Sequence, residues 1–467
     1  MNPVAIVGGG ITGLCAAYRL RELGIPATLY EAASRVGGVI RSVEADGFLA
    51  ESGPNTILET SPVIRRLVAD LGLERERLYS APEARNRYIL RRGKVETVPE
   101  TPLAFCRSRL FSWPAKLRLP LEVAIPRSAP DDEESVAAFV TRRLGREFLD
   151  YAVNPMVGGI YAGDPARLSL RHAFPRLHAA EQRYGSLILG QWLGARKRKR
   201  SGEVAKPAAP KFSFTHGLQS LVHALETRLG DAIILRSGVE AIRRVGPEWE
   251  VTRANAMETR RHSAVLLAAP AHKLAALELE DHPARFPLAP LREIPYAPVA
   301  SLVLGFRREA VTYPLDGFGV LIPAAESRNL LGVIFSSSLF PNRAPGGHVT
   351  LTCYLGGVRS PALARQEPAA ALRAAMADLR DFLGVREEPV FLRHTALQRA
   401  IPQYEIGFGR FRELMDRLEA DLPGLFLAGH FRDGISMADS ILAGDRAAHR
   451  IHALLSAGKG EPAPLSP

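Results

Sequence analysis

The chain has 467 residues, 46% of them hydrophobic and 23% charged, an ordinary globular composition that excludes a disordered, collagen-like or disulfide-scaffold protein. At about 100 to 200 residues per domain, the length points to two or three domains rather than one core. Lys and Arg number 60 against 49 Asp and Glu, a net charge of +11, which favours acidic small molecules, anionic lipid or nucleic acid without choosing among them.

The opening MNPVAIVGGG lacks the basic region, apolar stretch and cleavage site of a signal peptide, so the mature chain is expected to begin at Met1. Residues 4–7 (VAIV) form a continuous apolar run before Gly8-Gly9-Gly10, the pattern of a parallel strand buried on both faces. Leu14, Ala17, Tyr18 and Leu20 keep helical spacing up to Gly24, and residues 27–30 (ATLY) form a second strand ending at Glu31. Residues 94–130 mix Leu, Phe, Val and Trp113 with Arg107, Arg109, Lys116, Arg118 and Arg127, as basic amphipathic segments at a lipid interface do. Residues 133–150 read as a helix with an exposed charged face, ended before Asn154-Pro155. Residues 196–211 (RKRKRSGEVAKPAAPK) read as a solvated basic loop. A helix follows near 217–229, then β-like runs at 232–245 and 249–253 and a buried strand at 264–269. Residues 296–357 are strand-rich, 368–383 helical, 425–428 a strand and 436–454 a helix. No window holds about 18 uncharged apolar residues, so no spanning helix is expected.

Gly8, Gly10 and Gly13 give G-x-G-x-x-G after a buried strand and at the start of a helix, the context in which the motif is informative. The first glycine makes the tight turn, the second admits a pyrophosphate to the backbone, and the third lets helix and strand pack closely. Glu31, 18 residues after Gly13 and so close to the expected spacing of about 20, can accept from both ribose hydroxyls and disfavours a 2′-phosphate. Cys15, Cys106 and Cys353 are odd in number and widely spaced, with no CxxC or Cys/His ligand pattern. They indicate neither a disulfide framework nor a metal site, and fit a reducing compartment.

Arg35-Val36-Gly37-Gly38, Glu51-Ser52-Gly53-Pro54-Asn55, and Gly429 with Asp433-Gly434-Ile435-Ser436-Met437 follow in order. Together with the glycine turn they resemble the amine-oxidase-type flavoprotein superfamily. The resemblance implies FAD held noncovalently by Gly8, Gly9, Gly10, Ile11, Thr12, Gly13, Glu31, Ala32, Arg35, Gly38, Val39, Gly53, Pro54, Asn55, Thr56, Val239, Gly429, Gly434, Ile435, Ser436 and Met437. The helix after Ser436 would face the flavin, where its dipole favours negative charge.

Residues 86–99 (NRYILRRGKVETVP), 154–176, 317–323 (GFGVLIP), LLGVIFSSSLFPNRAP and 402–406 (PQYEI) resemble, more narrowly, the oxygen-dependent FAD-type protoporphyrinogen IX oxidases, over nearly the whole chain except the basic loop. That resemblance implies an α/β FAD-binding Rossmann-like domain, an α+β substrate domain and a helical membrane-binding domain. The first is expected at 1–85, 211–285 and 410–460, the second at 86–95 and 286–409, the third at 96–210, with a tail at 461–467. It matches Arg87 to a propionate-binding arginine and Phe318, Leu321, Ile334 and Tyr354 to the walls of a macrocycle pocket. Gly159 would approach a pyrrole N–H, and Asn55 would lie at the flavin edge facing substrate. Arginine suits a carboxylate because its planar fork can pair bidentately.

The activity implied is oxidation of protoporphyrinogen IX to protoporphyrin IX in haem biosynthesis, with hydride passing to flavin N5 and oxygen reduced to hydrogen peroxide. No second G-x-G-x-x-G follows a later strand, so no nicotinamide site is visible, and no general base is named, since the 12 histidines form no pair or triad pattern. Peripheral association with the inner face of the cell membrane from the cytoplasm, a homodimer, and handover of product to a chelatase are further expectations; nucleic acid is not expected as a partner. The rival readings are coproporphyrinogen III oxidation and a non-catalytic flavin- or porphyrin-binding carrier.

Overall fold

Alternate residues of Val4–Val7 enter different apolar clusters, as a strand buried on both faces requires. Val4 and Ile6 pack with Leu14, Ala17, Leu266 and Ile441, while Ala5 and Val7 pack with Val265, Trp249 and Leu427. The computed structural model describes residues 2–129, 132–188, 190, 209–254, 259–281 and 284–457. In it, Val4–Val7 is the centre of a five-stranded parallel sheet ordered Ile233–Ile234, Ala27–Tyr30, Val4–Val7, Val265–Leu267, Leu425–Leu427. The helix Ile11–Glu22 leaves the glycine turn and packs on Met437–Ala457. Gly444 permits this approach, because a Cβ there would lie 2.3 Å from the Thr12 carbonyl oxygen, and the Arg19 guanidinium donates to Asp445 at 2.6 Å across the same interface.

The run expected as one strand at 232–245 is two. Arg236 adopts a left-handed φ of 51°, and its amide donates to the Ala33 carbonyl at 2.9 Å, so the chain turns there. Ile233–Ile234 thus stays in the nucleotide-type sheet, and Val239–Val245 joins a second sheet with Thr259–His262, Glu248–Arg253, Glu278–Asp281 and Ala284–Arg285.

A third sheet has seven strands, in the order Phe391–Pro402, Tyr296–Arg307, His348–Gly356, Leu330–Phe335, Gly317–Leu321, Asn86–Arg91, Lys94–Thr97. The helix Pro368–Leu383 covers one face, its Ala371, Ala375, Met376 and Leu379 packing on Leu302, Val320, Val333 and Cys353. The opposite face is the one that matters for the site.

The region between Lys94–Thr97 and residue 190 is largely helical. Thr101, Ser112 and Ser135 cap the helices Pro102–Arg107, Trp113–Arg118 and Val136–Arg143, each accepting an amide of the first turn. The helix expected over 133–150 instead stops at Gly145, whose φ of +96° breaks it. It then resumes through Arg146–Phe148 and a π turn at Leu149–Val153 and runs on into Asn154–Tyr161. Pro155 does not end it: it falls at the junction where the π turn hands over to Asn154–Tyr161, a point where the regular i to i−4 ladder is already interrupted. Nor is the charged face wholly solvated: Arg143 is fully buried, pairing Glu122 and Glu181 at 2.6 Å each.

The basic loop expected at 196–211 lies outside the described residues up to 208; beyond that it ends early, with Ala209 buried and Lys211–Phe214 a strand between Ile57–Leu58 and Arg77–Tyr79. Among the described residues, no helix is long and apolar enough to cross a membrane.

Candidate functional site

The glycine turn has the geometry its sequence implies. Gly8 takes a φ of +112°, and a Cβ on Gly13 would stand 2.0 Å from the Gly8 carbonyl oxygen, which only glycine avoids. Gly10 is the N-cap of Ile11–Glu22 with no side-chain capping bond and no acid in the first turn, so the amides of Ile11, Thr12 and Gly13 form an uncapped positive end. A Cβ on Gly10 would point into open space.

Glu31 closes the strand-end corner. Its carboxylate accepts the Gly9 and Ala33 amides, both at 2.7 Å, one bond per oxygen, which leaves further lone pairs for a ribose. The Ser237 amide donates to the Glu31 carbonyl at 2.8 Å, and a Cβ on Gly238 would contact Ala32, so Val239 starts its strand beside this corner.

Two further loops lie over the turn. The Gly37 amide donates to the Gly9 carbonyl at 2.7 Å, and Gly38 faces the Cα of Gly10. Arg35 spends its guanidinium on the carbonyls of Val36, Ile40 and Gly38, at 3.1, 3.1 and 2.6 Å; here it braces the loop. Gly53 packs so tightly on Val39 that a Cβ would meet the Val39 carbonyl oxygen at 2.4 Å, which fixes Pro54, Asn55 and Thr56. In the C-terminal segment, Gly429 donates to Asp433 at 2.9 Å and Gly434 to the Tyr404 hydroxyl at 3.0 Å. Ile435 leads into a capping box, with the Ser436 hydroxyl bonded to the Asp439 carboxylate and accepting the Asp439 amide. The end of the helix beginning at Met437 therefore carries its own acid, which offsets part of the dipole effect expected there.

The residues expected around a macrocycle gather on the open face of the seven-stranded sheet. Arg87 is paired opposite Gly319, Gly319 opposite Ile334, and Ile334 opposite Thr352. Two residues along, Leu321 is opposite Gly332 and Gly332 opposite Tyr354. Residues two apart on a strand share a face, so Arg87, Leu321, Ile334 and Tyr354 project together, away from Pro368–Leu383. Phe318 packs with Ile334, Ala84 and Phe340 at one side. Gly159, within the helix Asn154–Tyr161, faces Leu321, whose Cδ2 would be 2.5 Å from an added Cβ. The Asn55 side-chain amide donates to the Tyr354 hydroxyl, tying the Gly53-Pro54 loop to the sheet. Burial pushes that phenol's pKa up, so Tyr354 stays neutral. Buried Glu51 has its pKa raised to about 6 by desolvation, opposed by bonds from Ser42 and Leu218 and by Arg343.

Residues 11–452 match the family described as flavin containing amine oxidoreductase. The chain belongs to that family. It is 34% identical to protoporphyrinogen oxidase 2, chloroplastic/mitochondrial, of Arabidopsis thaliana, over 99% of this chain and 96% of that protein. It is 30% identical to coproporphyrinogen III oxidase of Bacillus subtilis (strain 168), over 95% of this chain and 96% of that protein. A crystal structure from Exiguobacterium sp. 255-15, provisionally named a protoporphyrinogen oxidase, superposes with a TM-score of 0.80 at 24% identity, covering 97% of this chain and 99% of that one.

As a flavin-containing amine oxidoreductase the protein takes FAD, and the glycine turn fits it: an uncapped helix end, open space above Gly10 and an acid at the second strand suit a dinucleotide. Two residues that sequence reasoning passed over sit at the site of this amine oxidoreductase. Tyr404 links the C-terminal segment to the helical roof, its hydroxyl donating to the His430 carbonyl and its own carbonyl accepting the Ser169 amide at 2.8 Å. Lys211 reaches the Phe318 ring. Tyr404 lay within the matched PQYEI segment; Lys211 gave no signal, because it closes a low-complexity basic run.

Proposed function

We propose that the chain oxidises protoporphyrinogen IX to protoporphyrin IX, using FAD and oxygen. Porphyrinogen oxidation in haem biosynthesis is the activity to which its relatives' names point. The observation that carries the reading here is the sheet face on which Arg87 stands in line with Ile334, beside Leu321 and Tyr354, under a roof made by Gly159. An apolar macrocycle with propionates on one edge asks for an apolar slot with a cation at one end. Arg87 would pair a propionate, while Leu321, Ile334 and Phe318 would exclude water from the ring. Asn55, bonded to Tyr354, joins that slot to the cofactor loops. The flavin, when bound, supplies a two-electron acceptor, and the chain's part is orientation.

Anaerobic addition of protoporphyrinogen IX to the purified yellow protein is expected to bleach the flavin absorbance, and admitting air to restore it with release of hydrogen peroxide. A flavin that stays oxidised would favour the carrier reading instead. Coproporphyrinogen III is the second substrate to compare, since one relative is named for it.

We also propose that the helical region adsorbs to the cytoplasmic face of an anionic membrane. Leu103, Trp113, Leu117 and Leu121 are each more than 60% exposed. Leu117 and Leu121 line a groove of about 480 Å³ with Pro114 and Leu144, and Arg118, Arg146 and Glu147, the last paired with Arg91, also line it. Apolar side chains set among arginines suit a headgroup boundary, each basic residue adding about 1 kcal/mol. Trp113→Glu is expected to abolish co-sedimentation with phosphatidylglycerol vesicles; undiminished binding would refute this orientation.

A further inference from the structure

Lys211 has surroundings for which no ion pair among the described residues accounts. It opens the strand Lys211–Phe214, and its carbonyl accepts the Ser80 amide at 2.9 Å, holding it against the segment that leads into Asn86. Its ammonium stands 6.0 Å from the centroid of the Phe318 ring, and Phe318 shares its apolar cluster with Ile334. The residue is half-buried, and none of the ion pairs among the described residues includes it. Burial and the neighbouring charge of Arg87 both push its pKa down, with only Glu100 acting the other way. Gly319, next to Phe318, is paired in register with Arg87, and a partly buried ammonium that feels a guanidinium's charge is an arrangement that a shared anionic ligand stabilises.

We infer that Lys211 is a second carboxylate-binding residue of the substrate site, taking the propionate that Arg87 does not hold. The inference rests on the porphyrinogen reading above and goes beyond it, because it gives the site a preference for two carboxylates on one edge of the ring. The two cations divide the work by their chemistry. Arginine's rigid fork fixes one carboxylate bidentately, whereas lysine's point charge on a flexible stem follows the other without dictating its angle.

The test uses the full-length FAD-loaded enzyme with protoporphyrinogen IX and with its dimethyl ester, comparing Lys211→Gln and Lys211→Arg. Lys211→Gln is expected to raise KM for the free acid about tenfold, the scale of a half-exposed ion pair, with kcat falling far less and KM for the diester unmoved. Lys211→Arg is expected to recover most of the loss. An equal rise in KM for acid and diester would overturn the inference by assigning Lys211 a packing role against Phe318; no change for either would overturn it by leaving the ammonium in solvent. Wild-type enzyme that oxidises neither compound would refute the porphyrinogen reading itself, which separates that failure from this one.

Discussion

Gly159 and Leu321 come from different parts of the chain, and their contact is where the helical roof meets the sheet. In Gly159→Ala the new methyl would sit 2.5 Å from Leu321 Cδ2, about 1 Å inside ordinary contact. The clashing atom is the end of a flexible side chain, so the strain is expected to move Leu321 off its rotamer rather than the helix off the sheet. That costs about 0.5–1.5 kcal/mol for the rotamer and up to about 3 kcal/mol if neighbours also shift. Displaced Leu321 projects into the face occupied by Arg87 and Ile334, so KM for porphyrinogen should rise together with a fall of a few degrees in Tm. Leu321→Ala removes the clashing atoms, and the double variant should regain about 1–2 kcal/mol relative to the sum of the singles. The assay is thermal unfolding of the holoenzyme alongside steady-state kinetics for both singles and the double. Strict additivity in both readouts would refute the contact as the cause.

Gly13→Ala sets a Cβ against the Gly8 carbonyl oxygen, a backbone atom that cannot swing aside; the purified protein should lose bound flavin, measured as the 450 nm to 280 nm absorbance ratio. Glu31→Gln leaves one of the Gly9 and Ala33 amides facing an N–H donor. It should weaken FAD binding by about 1–3 kcal/mol, read by fluorescence titration of the apoprotein. His430 has its pKa lowered to about 4 by burial and by His272. Its folded value lies below the unfolded 6.5, so its contribution is fully present above pH 6.5 and is lost as pH falls towards 4. At pH 5 the loss is about 2 kcal/mol. His430→Gln should flatten the Tm profile between pH 7.5 and 5, and an unchanged slope would exclude His430 as its source.

What was legible in the sequence was what local chemistry dictates. The apolar run 4–7, the three glycines and Glu31 announce themselves because a doubly buried strand and a tight turn admit few other residues. Phe391–Pro402 was passed over because FLRHTALQRAIP lacks a regular apolar alternation; it is an edge strand, buried only at its two ends. Long-range placement was beyond periodicity as well. Nothing local says that Arg236 would turn left-handed and split one run between two sheets, or that Arg143 would be buried between Glu122 and Glu181. Arg87, Leu321, Ile334 and Tyr354 were matched to a pocket by resemblance, yet only the strand register puts them on one face.

The parallel sheet that carries the glycine turn takes its central strand from the start of the chain and its last one, Leu425–Leu427, from near the other end. Residues 4–7 and 425–427 must therefore both have left the ribosome before this scaffold can close, so during synthesis the early apolar strands wait for their partners while about 400 residues are added.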